Sequence, residues 1–209
     1  MRVAREGWPF IAIAWAIEAA LVYWCGPGAV ALAWLPIAVW VVAFFRDPVR
    51  TGPRGEKLVI APADGLVVSV RTIDEPAFHG AEVQRISIFM NVFNVHVNRY
   101  PVDGTITWCK YSPGKFVNAA GEKASLENEQ SSVGITTARG KVLVRQIAGL
   151  VARRIITDHG EGAVVRQGDR MGLIRFGSRV DVFLPIGVTV KVAEGERTVA
   201  GVTVIAEWP

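Results

Sequence analysis

Between residues 8 and 45 the chain carries one charged side chain, Glu18. That stretch breaks at Cys25-Gly26-Pro27-Gly28, a strong turn signal, into two apolar runs, 8–24 and 29–45. Each run is about 17 residues, the short end of what crosses a hydrocarbon core of roughly 30 Å. Arg2 and Arg5 stand before the first run, and Arg46, Arg50 and Arg54 after the second. A hairpin of two such runs brings both basic ends to one side of a bilayer, and the positive-inside rule makes that side cytoplasmic. Trp8, Trp24, Trp34 and Trp40 suit membrane interfaces. A signal peptide would show a single run and a small-residue cleavage site. A soluble helical hairpin would show a polar stripe at 3.6-residue spacing. Neither pattern is present, so residues 1–50 read as a membrane-associated helical hairpin.

From residue 51 to 209 the texture changes. Short β-branched runs alternate with Gly, Pro, Asp and Asn, which predicts strands over 66–73, 83–90, 92–99, 105–111, 133–138, 141–147, 151–157, 171–176, 180–184, 189–192 and 198–206. Arg139-Gly140 reads as a tight hairpin turn. Residues 112–130 are polar and without a clear period, the mark of a long loop or short helix; long loops of this kind often carry function. The expected fold is mostly β, a small sandwich or barrel-like catalytic domain behind the apolar hairpin.

Composition removes several function classes. Charged residues are 20% and apolar residues 51%, which excludes a disordered chain. Cys25 and Cys109 form no CxxC pair, and His79, His96 and His159 are scattered, so no metal site is expected. Net charge is +4. Its basic residues lack interleaved aromatics, so no nucleic-acid partner is expected. Basic residues beside an apolar hairpin point instead to anionic lipid. GxGxxG, P-loop, HExxH and GxSxG patterns are absent from the sequence.

Three stretches remain that can carry chemistry. Ala61-Pro62-Ala63-Asp64-Gly65 precedes a strand and reads equally as a structural turn. In Asn91-Val92-Phe93-Asn94-Val95-His96-Val97-Asn98-Arg99-Tyr100-Pro101, period-2 alternation puts Asn94, His96 and Asn98 on one face and Val95 and Val97 on the other. Arg175-Phe176-Gly177-Ser178-Arg179 holds a Gly-Ser bond. Taken in this order, the stretches resemble the phosphatidylserine decarboxylase family in its short bacterial and archaeal form. Phe44-Phe45-Arg46-Asp47-Pro48, Tyr111-Ser112-Pro113-Gly114-Lys115-Phe116 and Glu127-Asn128-Glu129 extend the match over nearly the whole chain. One position departs: longer bacterial forms carry two histidines three residues apart, and here the first is His96 while Arg99 stands at the second.

The resemblance implies a self-processing, pyruvoyl-dependent carboxy-lyase that converts phosphatidylserine to phosphatidylethanolamine. It implies cleavage between Gly177 and Ser178, with Ser178 as nucleophile and source of the covalent pyruvoyl group, and His96 and Asp64 as acid and base. A serine hydroxyl needs a neighbouring base, and histidine titrates in the right range. A pyruvoyl group replaces pyridoxal phosphate as electron sink, so neither that cofactor nor a metal is expected. Arg99 and Asn94 are candidates for headgroup contact. The implied partners are phosphatidylserine, anionic membrane lipid and the chain's own cleaved segment 178–209; the family also accommodates a homodimer. The implied location is the cytoplasmic face of the cell (inner) membrane. Two alternatives stay open: a decarboxylase of another serine-headgroup lipid, of archaetidylserine type, and a non-catalytic membrane-tethered β scaffold.

Overall fold

A computed structural model describes residues 2–114, 128–149, 154–175 and 178–209. The chain divides into two compact units, 1–49 and 50–209.

The first unit is a helical hairpin closed at its base. Strand β1 (Arg2–Val3) leads through a 3₁₀ turn into helix α1 (Trp8–Cys25), and helix α2 (Ala29–Phe44) returns to strand β2 (Arg46–Asp47). Pro9 sits in the first turn of α1, where its missing N–H costs nothing. Gly26 ends that helix at φ +71°, in the left-handed region that favours glycine. β1 and β2 pair antiparallel, Arg2 opposite Asp47 and Val3 opposite Arg46, so the two basic ends of the hairpin meet. The buried positions of α1 and α2 are Ala14, Ala31, Ala38 and Phe44. Small residues let the helices approach closely, as membrane helices do. The Trp34 indole N–H donates to the Ala14 carbonyl at 2.9 Å. Large apolar side chains such as Trp15, Ile17, Leu32 and Val39 face outward. Residues 5–25, with a mean hydropathy of 1.5, are long and apolar enough to cross a membrane. The 16 residues of α2 are fewer than a full span ordinarily takes.

The second unit is all β. Its strands are β3 (Leu58–Ile60), β4 (Gly65–Glu75), β5 (Ala81–Met90), β6 (Val97–Arg99), β7 (Gly104–Ser112), β8 (Gln130–Thr136), β9 (Lys141–Ala148), β10 (Ile155–Thr157), β11 (Val164–Val165), β12 (Arg170–Ile174), β13 (Ser178–Pro185), β14 (Thr189–Val190), β15 (Arg197–Thr198) and β16 (Val204–Glu207). Eight of them form one antiparallel sheet in the order β11-β7-β8-β9-β13-β5-β4-β15, which curls into a half-barrel. Two three-stranded sheets, β10-β12-β6 and β14-β16-β3, complete the unit. The mostly β fold expected from the sequence is the one observed. The core draws on alternate residues of neighbouring strands: Ile86, Ile88 and Met90 from β5, Val142 and Val144 from β9, Val180, Val182 and Leu184 from β13.

Three expectations need revision. The stretch 92–99 is not one strand. Asn91–Asn94 closes a turn in which Asn91 Oδ1 accepts from the Phe93 N–H and Asn94 Oδ1 accepts from the Asn91 N–H, both at 2.9 Å. Asparagine side chains bonding nearby backbone compete with the strand ladder. Within the stretch only 97–99 pairs in a sheet, and Val95, His96, Val97 and Asn98 are all buried, so the two alternating faces are not divided between core and solvent. Second, 198–206 splits between β15 and β16, with Gly201 at φ +72° in the turn between. Third, β3 and β11 were not anticipated; both are very short. The Arg139-Gly140 hairpin is observed, closed by the Thr137 N–H on the Gly140 carbonyl at 3.0 Å. Most of the expected loop at 112–130 lies outside the described residues.

Candidate active site

β13 is the strand on which the site is built. It lies between β5 and β9, with Ser178 opposite Met90 on one side and Ala148 on the other. Strand alternation turns Ser178 to the same side as Val180 and Val182, into the core. Ser178 has no solvent exposure, and its hydroxyl donates to the Met90 thioether at 3.4 Å. On the opposite side Arg179 donates through Nε and Nη2 to the two carboxylate oxygens of Asp181, each at 2.8 Å. Both are buried, and the bidentate geometry is the strong form of such a pair. Gly177, the other half of the expected scissile bond, lies outside the described residues.

His96 is positioned by the turn that precedes it. Its Nδ1 lies 3.0 Å from the Asn94 carbonyl. A carbonyl only accepts, so the proton is assigned to Nδ1 and Nε2 becomes the basic nitrogen. The His96 carbonyl accepts from the Ile174 N–H at 3.3 Å, which holds the imidazole's backbone against the strand leading toward Ser178.

Asp64 is held by other partners. Its Oδ2 accepts from Arg50 Nη2 and its Oδ1 from the Ala200 N–H, both at 2.7 Å. Among the described residues, neither oxygen reaches His96. The turn that carries Asp64 does lie beside the histidine strand, because the Arg99 N–H donates to the Pro62 carbonyl at 2.9 Å. The Arg99 guanidinium donates to the Gly168 carbonyl at 3.0 Å. Asn94 spends its side-chain oxygen on the turn described above. The backbone thus brings the Asp64 turn and β12 to the His96 segment, while the Asp64 and Ser178 side chains rest on separate partners.

Arg50, one of the basic residues that follow the second apolar run, is the partner of Asp64, with 19% of its side chain exposed. Arg54 likewise donates to the Gly201 carbonyl at 2.7 Å. Sequence reasoning also missed a buried polar chain next to Ser178. Gln146 Nε2 donates to Asn98 Oδ1 at 2.8 Å, and Asn98 Nδ2 reaches the same Met90 sulfur at 3.6 Å. Its signal was available: Gln146 occupies the core phase of β9, between Val144 and Ala148, where an amide is out of place. Tyr100, next to Arg99, is fully buried with its hydroxyl 3.0 Å from His159 Nδ1. Burial above all, with Asp158 and Cys109 nearby, raises its pKa, so it is a donor throughout the physiological range.

Two surface clefts, one lined by Val102, Thr137 and Trp208 and the other by Val70, Val188 and Val190, include none of Ser178, His96 and Asp64. Among the described residues no group of three or more His, Cys, Asp or Glu side chains is placed to hold a metal.

A family model described as phosphatidylserine decarboxylase matches residues 37–206. The chain is similar to proteins named phosphatidylserine decarboxylase proenzyme. That of Burkholderia multivorans is 51% identical over 206 residues, 98% of this chain and 95% of the relative. Those of Burkholderia cenocepacia and Burkholderia lata are 50% and 51% identical over the same shares.

Proposed function

The chain belongs to the phosphatidylserine decarboxylase family, and on that premise we propose that it is a membrane-bound proenzyme that cuts itself between Gly177 and Ser178 and carries a pyruvoyl group made from Ser178. The observation that supports this reading is the position of Ser178: a fully buried hydroxyl at the first residue of a central strand, whose hydrogen-bond partner among the described residues is a thioether. A buried serine held this lightly is suited to attack once a base takes its proton.

In the proposed sequence Ser178 Oγ attacks the Gly177 carbonyl carbon. His96 Nε2 takes the hydroxyl proton and returns it to the residue 178 nitrogen. The peptide C–N bond breaks and an ester bond to Oγ takes its place. Removal of the Ser178 Cα proton then breaks the Cβ–Oγ bond. The electron pair leaves with Oγ as the Gly177 carboxylate, and dehydroalanine remains. Water adds to its imine tautomer, ammonia leaves, and a ketone stands at the new N-terminus. Arg50 holds Asp64 in an ion pair at 2.7 Å, so that its carboxylate is fixed beside the histidine segment. With Arg99 at the second histidine position, His96 is the one imidazole of this segment and serves both scission and decarboxylation.

The residues present fit a pyruvoyl group: the side chain of residue 178 is enclosed by the core and meets a sulfur that accepts a methyl neighbour as readily as a hydroxyl. When formed, the group supplies an electron sink for the pair left behind as carbon dioxide departs. The protein's part is to hold the headgroup, exclude water and move protons at His96, with the headgroup contact assigned in this reading to Arg99 and Asn94.

The membrane reading follows from the substrate. A diacyl lipid leaves a bilayer only at a cost of about 0.8 kcal/mol per CH₂, so the enzyme must work at the surface. The α1–α2 hairpin, apolar on its outer faces, provides the attachment, and its paired basic ends favour the cytoplasmic leaflet. The deciding experiment is the intact mass of purified, denatured protein. Two fragments, 1–177 and 178–209, are expected, the smaller with a blocked N-terminus that gains mass on borohydride reduction with an amine. A single chain from wild-type protein in anionic membranes overturns the reading, because no electron sink is then present.

A further inference from the structure

The Ser178 hydroxyl shares its acceptor. The Met90 sulfur takes one donor from Ser178 at 3.4 Å and a second from the Asn98 amide at 3.6 Å. Asn98 is fixed by Gln146 at 2.8 Å, Gln146 Oε1 accepts from the Thr157 hydroxyl at 3.0 Å, and Thr157 meets the Ser131 hydroxyl at 2.8 Å. Met90, Asn98, Gln146 and Ser178 have no solvent exposure. Two amides in an apolar core are costly unless each is satisfied. Here they are satisfied in a line that ends on the atom holding Ser178.

Building on the self-processing reading above, we propose that Met90 fixes the Ser178 hydroxyl in the rotamer used for scission, and that Asn98 and Gln146 are positioning residues that hold the Met90 sulfur in place. A thioether is a weak acceptor. It selects one side-chain rotamer of Ser178, yet it holds the proton too loosely to compete with a base. The reaction also changes what the sulfur faces. During scission Oγ departs with the Gly177 carboxylate, and Cβ remains as a methyl. A sulfur then makes an ordinary apolar contact. A carboxylate or amide oxygen in its place would lose a strong hydrogen bond when the hydroxyl departs and would keep only the Asn98 amide as donor. Methionine therefore serves the residue before and after it changes.

Met90 and Met171 are the two internal methionines. In an M171L background, synthesis with norleucine in place of methionine exchanges the residue 90 sulfur for a methylene of the same shape. Synthesis with selenomethionine keeps an acceptor there. The rate of scission is followed by intact mass during cell-free synthesis with anionic vesicles. Norleucine should slow scission about tenfold, which corresponds to about 1.4 kcal/mol of barrier, and selenomethionine should leave it within about twofold. Asn98→Leu should slow scission similarly, and combining it with norleucine should add little, because the two act through one atom. A norleucine chain that cleaves at the methionine rate or faster overturns the proposal. A second readout needs no scission. In an H96A chain kept whole, the Met90 ε-methyl NMR signal should shift when Ser178 is changed to Ala, and an unmoved signal overturns the contact. If the methionine chain itself stays whole, the self-processing reading falls, and the methyl signal still decides whether sulfur and hydroxyl touch.

Discussion

At the scale of single residues, Asp64 has an anchor that its Asp-Gly context did not announce. Its charge is shared between Arg50 and the Ala200 N–H, and with 13% of its side chain exposed it is partly shielded from water. Arg50→Ala should lower stability by about 1.5–3 kcal/mol, the range for a hydrogen bond to a charged group, read as a shift in the urea midpoint. It should also slow scission, while R54A, whose guanidinium bonds backbone carbonyls among the described residues, should spare it. Glu75 and His79 set the acid response. Burial opposes the Glu75 carboxylate, but the His79 and Phe78 N–H groups and the Arg145 guanidinium together outweigh it and lower its pKa. Burial also lowers His79, against the raising effect of the Lys141 carbonyl and Glu75. Both folded pKa values lie below the unfolded ones. Each group therefore contributes stability above its unfolded value, and that contribution is lost as pH falls through the folded value. The urea midpoint should fall on acidification in two stages, below 6.5 and again below 4.5, and E75Q should shrink the second.

At the scale of elements, close backbone approach explains two glycines that carry no positive φ. A Cβ on Gly65 would collide with the Phe89 carbonyl across the β4–β5 pair. The Asp64-Gly65 dipeptide is thus spaced by strand packing, and Asp64 is aimed by it. A Cβ on Gly172 would strike the Ile156 carbonyl where β12 pairs β10. Backbone cannot yield as a flexible side chain does. Gly172→Ala should therefore cost about 1–3 kcal/mol in thermal unfolding, and it should weaken hydrogen-exchange protection along β10 before it does so in β13. The turn at 91–94 shows the opposite case, a local preference that prevails over a strand pattern. Two asparagines satisfy the backbone without a neighbour strand, and His96 is set by that turn.

At the scale of the molecule, the proposed cut falls beside a strand paired on both sides. β13 pairs with β5 along residues 178–185 and with β9 along residues 178–183. After scission, segment 178–209 keeps these two ladders together with the core contributions of Val180, Val182 and Leu184. It should co-purify with 1–177 through gel filtration in detergent and separate only in denaturant; a small chain lost under native conditions would contradict that. Among the described residues, the main core cluster of the second unit is built from residues 59–208. A chain lacking residues 1–49 should therefore fold with a similar thermal midpoint while losing most of its sedimentation with anionic vesicles.

The apolar hairpin, the mostly β body and the family were legible from sequence because each rests on local pattern: hydropathy over 8–45, strand periodicity beyond 58, and short motifs in a characteristic order. Gln146, a polar residue in an apolar phase, was legible too, though only as an anomaly. The partners of the site residues were not. Arg50 meets Asp64 fourteen residues away, and Met90 meets Ser178 across eighty-eight. Such pairings are decided when strands take their register in the sheet. A one-residue slip would turn Ser178 from the core to the face of Arg179. Sequence determined which groups this chain brings to the reaction. Tertiary structure decided which of them touch, because hydrogen bonds are short and directional, and only the folded backbone sets side chains distant in sequence at those distances.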